Sequence, residues 1–462
     1  MKALFPVLAA LFLWLIDGPD SLNNQAYQLF IVFLTVIASL MVRAIPMAVS
    51  VLTALTFVVT AGILPLKSAL MGYSDTTTWL VVIAFMIAGA VIETGLGRRI
   101  SLLCILILGR SMTGLGYAIC LAEFILGPVV PSNTARGGGI LAPIVDSISR
   151  TLGSSPKNKP EKAGQYLHLV GAHSNLITAA MFLTGMAANP LVSKAAFDIF
   201  EIQFDWFTWA KGSIVPGLIG LTGLPLLINY ISTPTINSIQ PIREKIQRDI
   251  QSLGPWSRKE IITTCTLGLM LILWSTKPFH GWGTTTVALM GLVIILLTRT
   301  LTWDQLVKNY KAWDALIWLG GLLTLATGLK NLGFIAWFGN LIENGLTGIS
   351  PIMLLIALTL IYFYSMYFFS MLTAHIIALI GTIFLVASGV GLNPFLVVGV
   401  MAYFSNLCGC LTNYSTGPVI IYFGNGYVQP SAWFRIGFIV SIYHLVVWLG
   451  IGSIWWKMIG WW

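Results

Sequence analysis

Long apolar runs recur from one end of this chain to the other, and they constrain its fold more than any other feature. Most are long enough to cross a bilayer, where the backbone must satisfy its own hydrogen bonds and helices or closed barrels are the stable solutions. With 57% hydrophobic and 9% charged residues, the sequence predicts an all-α polytopic membrane protein. The runs cover about residues 3–16, 26–42, 45–64, 76–95, 163–183, 208–231, 260–275, 284–299, 313–329, 393–414 and 431–456.

Two further apolar regions, 113–150 and 350–390, are interrupted in the middle. An interruption of this kind is tolerated at membrane depth only where it is buried in protein or lines a cavity. In each interruption a basic residue stands two positions after a threonine, Arg136 in the first and His375 in the second. The pattern predicts two re-entrant hairpins, each with a polar tip.

Short motifs recur in the same order and divide the chain into two similar halves, 1–231 and 259–462, joined by a charged linker at 232–258. Besides the hairpins, Thr-Gly recurs at 94–95 and 327–328, Ser-Asn at 174–175 and 405–406, and Thr-Gly again at 184–185 and 416–417. Internal repeats with interrupted helices in corresponding positions indicate a binding site near the membrane midplane, where the repeats meet.

Basic residues are distributed unevenly among the loops. If the N-terminus is cytoplasmic, each run crosses once and both hairpins re-enter, the inside loops hold about three times as many lysine and arginine residues as the outside loops. This bias explains the formal charge of +9, so no nucleic-acid partner is expected. The same topology places the linker 232–258 and Arg110 in the cytoplasm. It opens the first hairpin to the cytoplasm and the second to the outside, which is an inverted arrangement.

The first tip carries Ser132, Asn133 and Thr134, between the helix-stopping Pro131 and the glycine run 137–139. Ser132 or Thr134 could cap the returning helix. The freed amides and the positive helix end could also bind an anion, and the two interpretations are compatible.

The second tip is less polar than the first, because Met371 and Leu372 stand where the first has Ser-Asn. Of the three tip residues, only Thr373 keeps a hydroxyl. We therefore expect the two tips to bind different groups.

Two more interruptions follow the hairpins, at Thr184-Gly185 and at Ser415-Thr416-Gly417. Glycine permits unwound backbone, and the proline after Gly417 can restart a helix. These interruptions could be plain kinks. In a repeat that also has two hairpin tips, they are expected to form the other walls of a midplane site.

Arg136 and His375 stand where charge is expensive, since a charged side chain at the bilayer centre costs roughly 2.5–3.5 kcal/mol on insertion scales. We expect their partner to be a transient anion and not another side chain. The alternatives are that Arg136 pairs with Glu123 or Glu93, and that His375 is a satisfied core histidine.

These motifs resemble the divalent anion:sodium symporter (DASS) family over essentially the whole chain. The branch that it resembles contains 2-oxoglutarate/malate translocators and citrate/succinate antiporters. The family's Ser-Asn-Thr marker is complete at residues 132–134 and is reduced to Thr373 in the second half. The resemblance implies eleven membrane-spanning helices, two re-entrant hairpins, and a homodimer whose transport domain moves elevator-fashion against a scaffold domain.

In sodium-coupled relatives, the hairpin tips and unwound loops coordinate Na⁺. Here Arg136 and His375 are expected to supply fixed positive charge in place of bound sodium. The resulting hypothesis is sodium-independent exchange of small dicarboxylates, such as 2-oxoglutarate, malate, succinate or fumarate, in a bacterial inner membrane. The substrate-binding residues are predicted to be Ser132, Asn133, Thr134, Thr184, Gly185, Thr373, Ser415, Thr416 and Gly417.

Three alternatives remain open at this point. A sodium-coupled dicarboxylate symporter would use the first tip and first unwound loop for one Na⁺. An intramembrane hydrolase would need Ser132 beside His173, but Ser132 has no nucleophile-elbow context. A passive anion channel is the third. The prediction is a transporter with no enzymatic activity, no metal site and no cofactor.

Overall fold

The computed structural model describes residues 4–42, 45–236, 239–343 and 350–462. Residues 237–238 of the predicted linker lie outside the described residues. The first half contains α1 (Leu4–Trp14), α2 (Asn24–Val42), α3 (Met47–Thr60), α4 (Leu66–Ala69), α5 (Thr76–Glu93), α6 (Leu96–Leu108), α7 (Met112–Leu126), α8 (Ala142–Thr151), α9 (Gly164–Met181), α10 (Asn189–Phe200) and α11 (Trp206–Ile231).

The linker forms a helix, α12 (Gln240–Ser252). The second half contains α13 (Arg258–Ser275), α14 (Lys277–His280), α15 (Thr284–Leu297), α16 (Trp303–Val307), α17 (Tyr310–Asn331), α18 (Phe334–Glu343), α19 (Pro351–Tyr364), α20 (Leu372–Ser388), α21 (Pro394–Leu407), α22 (Gly417–Gly424), α23 (Pro430–Leu445) and α24 (Gly452–Met458). Tighter or wider helical turns occupy Met71–Ser74, Thr134–Leu141, Pro160–Lys162, Leu183–Gly185, Ser365–Phe368, Cys408–Leu411 and Val446–Ile451.

The prediction of an all-α membrane protein is confirmed. Among the described residues, 7 helices are long and apolar enough to cross a membrane, and shorter apolar helices accompany them. The predicted apolar runs match the helices closely. The runs do not predict α6, because Arg98 and Arg99 near its start break the apolar pattern, and they do not cover α10, α12 or α18.

Local chemistry explains where several helices begin. The Ser111 side chain accepts a hydrogen bond from the Gly114 amide (2.9 Å) and starts α7. Ser257 and Glu260 form a reciprocal capping box that starts α13. Both arrangements satisfy amides that would otherwise lack partners at a helix start.

The chain folds into two compact units, and each takes segments from both predicted halves. Unit 1 comprises Met1–Ile83, Pro190–Phe204 and Asn309–Ala402, and it contains the second hairpin. Unit 2 comprises Ala84–Asn189, Asp205–Lys308 and Tyr403–Trp462, and it contains the first hairpin. The division into halves at the linker describes the repeat and stays a prediction, because the compact units do not follow it.

Helix α9 is the central helix of unit 2. Every residue from Tyr166 to Met181 is buried. It packs against α7, α8, α11 and α22. A helix that is buried on all sides holds its polar side chains where water does not reach them, so their partners must come from the protein or from a ligand.

Candidate functional site

The first hairpin breaks where the sequence predicts. Helix α7 ends at Leu126, and the chain returns as a wide π-helical segment, Thr134–Leu141. The Ser132 hydroxyl accepts a hydrogen bond from the Ala135 amide at 3.1 Å, which confirms the capping interpretation for this serine. Wide turns of this kind are frequent at functional sites.

The second unwound loop meets the tip of the first hairpin. The Asn133 side-chain amide donates to the Thr416 hydroxyl at 3.0 Å. Gly417, the first residue of α22, approaches so closely that a Cβ there would lie 2.1 Å from Thr134 Oγ1. Two helix starts therefore converge on one spot, and the positive ends of both helices favour an anion there.

The residues at this convergence differ in exposure. Thr134 and Gly417 are half-buried, whereas Asn133 is 6% exposed and Thr416 7% exposed. Thr134 and Gly417 thus remain partly accessible in a site that is otherwise enclosed. An anion approaching the two helix starts would meet these two residues first.

The charged partner of Arg136 is a carboxylate of the protein and not a transient anion. Its Nε donates to Glu123 Oε2 at 2.6 Å, and both side chains are fully buried. The expectation that its partner is not a side chain is wrong, and the Glu123 alternative is confirmed. Because the carboxylate neutralises the guanidinium, the pair avoids the penalty of an isolated buried charge.

The ion pair is the centre of a network that joins three segments of unit 2. Arg136 also donates to Val130 O (2.9 Å) and Gly185 O (3.1 Å), linking the hairpin break to the first unwound loop. On α9, Asn175 donates to Glu123 Oε1 (3.0 Å), and Thr178 donates to Glu123 Oε2 (3.2 Å). The hairpin tip is therefore fixed to the core helix and to the loop at once.

Glu123 and Asn175 are the functional residues that the sequence reasoning did not assign. The sequence offers Glu123 only as an alternative partner, although a buried charge requires a counter-charge, and this carboxylate lies on the same hairpin. Asn175 belongs to the repeated Ser-Asn motif, and that repetition was the available signal.

The hydroxyls of Thr184 and Ser415 have partners inside the protein. Thr184 Oγ1 donates to Pro128 O at 2.6 Å and accepts from Trp206 Nε1 at 3.0 Å. Ser415 Oγ donates to Gly409 O at 2.7 Å. The geometry favours a supporting role for both hydroxyls, and direct contact with a substrate stays a prediction.

We expect Thr184→Val to destabilise the protein by about 1–3 kcal/mol, because the carbonyl of Pro128 and the indole of Trp206 would lose a buried partner. Thermal unfolding of the purified protein measures this. Thr264→Val is the matched control, since that exposed hydroxyl bonds only its own helix, at Glu260 O. An unchanged stability in Thr184→Val together with weakened substrate binding would instead make Thr184 a ligand contact.

A pair of asparagines ties the end of α21 to the start of α10. Asn406 Nδ2 donates to Asn189 Oδ1 at 2.9 Å. Asn189 in turn donates to Ala179 O (2.8 Å) and Phe182 O (2.9 Å), at the end of α9. The Ser-Asn motifs of both halves thus contribute a side-chain amide to the hydrogen bonds inside unit 2.

The second hairpin lies in unit 1, and His375 closes its break. His375 Nε2 lies 2.9 Å from both Tyr362 O and Ser365 Oγ. A carbonyl only accepts, so the contact with Tyr362 O is a hydrogen bond in the tautomer that carries a hydrogen on Nε2. The ring also packs against Tyr362 and Phe369, with centroids at 4.3 and 4.9 Å. The core-histidine alternative is therefore confirmed in part. Thr373, two residues before His375, is half-buried.

The hydrolase alternative needed Ser132 and His173 to act together. Ser132 caps the hairpin instead, and the His173 ring packs against Trp433 with centroids 6.1 Å apart. Within the described ranges, no group of three or more His, Cys, Asp or Glu side chains is placed to hold a metal ion.

A family model described as the sodium:sulfate symporter transmembrane region matches residues 1–462. YflS of Bacillus subtilis (strain 168) is 40% identical over 99% of this chain and 96% of its own, and it is provisionally named a malate transporter. Dicarboxylate transporter 1, chloroplastic, of Arabidopsis thaliana is 35% identical over 100% of this chain and 84% of its own. The L-tartrate/succinate antiporter of Escherichia coli (strain K12) is 32% identical over 98% of this chain and 97% of its own.

One solved structure, the YdaH transporter of Alcanivorax borkumensis, covers 95% of this chain and 99% of its own, with a TM-score of 0.58 and 12% identity. That likeness concerns the fold alone. The family match and the relatives make this chain a multi-pass membrane transporter and not an enzyme. Because the family model spans the whole chain and agrees with the hairpin motifs, the protein belongs to the sodium:sulfate symporter transmembrane-region family, the divalent anion:sodium symporters.

Proposed function

We propose that this chain exchanges small dicarboxylates across a membrane without sodium, and one observation carries the proposal. The Arg136 guanidinium bridges Val130 O of the hairpin break and Gly185 O of the unwound loop. Backbone carbonyls of this kind are ligands for bound cations. A guanidinium that is covalently attached and already bridges them takes the place of a cation that would bind and leave in every cycle.

Sodium independence follows from the lack of a releasable cation. A symporter is driven by the ion that travels with its substrate. When the positive group stays in the protein, accumulation of one dicarboxylate must be driven by another moving outward. The 32% identity to a protein named as an L-tartrate/succinate antiporter supports this mode.

The charge state of the site differs from what an unpaired arginine would give. Glu123 neutralises Arg136, so the fixed pair carries no net charge and cannot by itself hold back an empty carrier. What attracts the dianion in this proposal is the pair of converging helix starts at Thr134 and Gly417. Arg136 is then a positioning residue for the hairpin tip.

One substrate carboxylate is proposed to lie against Asn133, Thr134, Thr416 and Gly417, the residues at the two converging helix starts. Thr373 is proposed as the substrate contact of the second hairpin. His375 has the place in that hairpin that Arg136 has in the first, because it too bonds a carbonyl of its own hairpin, Tyr362 O.

Substrate range, location and assembly follow the relatives and the family resemblance. Names among the relatives include malate, dicarboxylate and tartrate/succinate transport, so we propose 2-oxoglutarate, malate, succinate and fumarate as substrates. An Escherichia coli (strain K12) relative is named as the inner membrane protein YbhI, at 34% identity, and we propose the bacterial inner membrane for this chain. A homodimer and elevator-type alternating access complete the proposal.

The test is counterflow in liposomes that contain the purified protein. Uptake of labelled 2-oxoglutarate is measured with unlabelled dicarboxylate inside or with none, each with and without an inward sodium gradient. We expect no response to sodium, because the bridging cation is the side chain of Arg136. We expect uptake only with internal dicarboxylate, because the proposed transport mode is exchange.

Two outcomes would contradict the proposal. Sodium-driven uptake into vesicles with no internal dicarboxylate would overturn the proposal and favour the sodium-coupled symporter. Uptake that does not saturate would favour a passive channel. Liposomes without protein set the background for each arm.

A further inference from the structure

A polar cavity lies in unit 2, and none of its lining residues belongs to the hairpin tip. It has a volume of about 750 Å³ and lies where α7 begins and α11 ends, beside the linker helix α12. Its charged lining is basic, with Arg110 and Arg243, and no acidic side chain lines it among the described residues. Ser111, Asn229 and Thr233 add hydroxyl and amide groups.

The two arginines of this cavity have no counter-charge. Neither Arg110 nor Arg243 forms an ion pair with a described residue, and both are exposed. The neighbouring Lys245 differs, since its ammonium bonds Asp249 (3.1 Å) and Ser147 (2.8 Å). The positive charge that faces the cavity is therefore available for an anion.

The cavity wall formed by α12 is held firmly in place. Ile242 and Ile246, on one face of the helix, are 0% and 1% exposed. The chain just after the helix is fixed by Arg99, which donates to Leu253 O (3.2 Å) and Gly254 O (3.0 Å). With its apolar face packed into the protein, α12 is a fixed wall of the cavity.

Apolar surface adjoins the cavity along the chain. On α11, Leu226 is 55% exposed and Tyr230 is 87% exposed, on either side of the cavity residue Asn229. On α6, Ile107 is 60% exposed, two residues before Gly109 of the cavity. A ligand with a charged head and apolar chains can use both surfaces, whereas a free inorganic anion uses only the first.

We propose that this cavity binds the phosphoryl headgroup of an anionic phospholipid, with Arg110 and Arg243 on the phosphate and the acyl chains along α11 and α6. Both arginines lie on the side predicted to be cytoplasmic, where anionic lipid attracts juxtamembrane basic groups. The site is independent of the dicarboxylate site and goes beyond the transport function.

The test measures how added lipid shifts the thermal unfolding of the detergent-purified full-length protein. Three probes are titrated separately: dioleoyl phosphatidylglycerol, dioleoyl phosphatidylcholine and inorganic phosphate. We expect phosphatidylglycerol to stabilise the protein at lower concentration than the other two. In Arg110→Gln/Arg243→Gln, the apparent affinity for phosphatidylglycerol should fall by about five-fold for each arginine.

Arg248→Gln is the matched control, because Arg248 is an exposed arginine of α12 that does not line the cavity. It should bind phosphatidylglycerol as the unaltered protein does. A five-fold weakening in Arg248→Gln, equal to that expected for each cavity arginine, would overturn the proposal in favour of a diffuse charge effect. Inorganic phosphate acting as strongly as phosphatidylglycerol would overturn it in favour of a free-anion site. Equal melting temperatures without lipid confirm that the variants fold.

Discussion

Glu123→Gln is expected to abolish most dicarboxylate exchange and to destabilise the protein by about 3–5 kcal/mol, the usual effect of removing one partner of a buried ion pair. The substitution keeps the shape of the side chain. It leaves the Arg136 guanidinium, which is 0% exposed, without a counter-charge in a low-dielectric interior. The amide would also present donors to Thr178 and Arg136, which themselves donate to this carboxylate.

The double variant Glu123→Leu/Arg136→Met separates the stability of the pair from its role in transport. Replacing a buried ion pair by apolar side chains of similar volume is often neutral for stability. We therefore expect the melting temperature to recover while exchange stays low, because the bridge between Val130 O and Gly185 O is gone. Melting temperature and counterflow rate, measured on the same preparations, report the two effects. Full recovery of exchange in the double variant would show that the bridge is dispensable.

Glu260→Gln is the matched control for the single variant. Glu260 pairs with Arg99 at 2.6 Å, and both side chains are nearly buried and belong to unit 2. This pair, however, holds the chain that follows the linker helix α12. The charge change is identical. We expect Glu260→Gln to lose stability but to keep most of its exchange rate per folded molecule. The comparison therefore separates the general effect of breaking a buried ion pair from the effect of breaking the pair at the hairpin tip.

The helices and the polar breaks could be predicted from local sequence. The apolar run predicted at 163–183 is α9 within two residues at each end, and the break at Ser132 has the capping bond that its residue type favours. Hydrocarbon permits few backbone conformations, so an apolar run of this length has little choice but to be helical. The sequence does not predict helix α6, because arginines near the start of a helix look like the loop at the end of an apolar run.

The partners within the site could not be predicted in the same way. Asn133 and Thr416 are 283 positions apart, and their hydrogen bond depends on how distant segments pack. The sequence also left Arg136 with several possible partners, and only the fold places Glu123 against it. The compact units show the same limit, because each combines three segments of the chain. Side-chain types restrict which bonds can form, whereas tertiary packing selects among them.

Gly417→Ala is expected to reduce exchange strongly, because its Cβ would lie 2.1 Å from Thr134 Oγ1 and 2.6 Å from Thr134 Cγ2. Real Cβ atoms do not approach so closely, so α22 and the hairpin tip must move apart. Overpacking of this kind costs about 1–3 kcal/mol. The loss of exchange should exceed the loss of stability, since a binding site must hold its groups within about 0.5 Å. Counterflow and thermal unfolding measure both.

Gly424→Ala is the control at the far end of the same helix, where an added Cβ meets nothing within 4 Å. It should leave exchange unchanged and stabilise the helix slightly, since alanine is the better helix former. Adding Thr134→Ala to Gly417→Ala removes the two closest of the three colliding atoms and leaves Thr134 Cβ at 2.9 Å, so stability should recover in part, whereas exchange should not if Thr134 contacts the substrate. Equal exchange in Gly417→Ala and Gly424→Ala would mean that the two helix starts do not form the anion site, and the proposed position of the dicarboxylate would then be wrong.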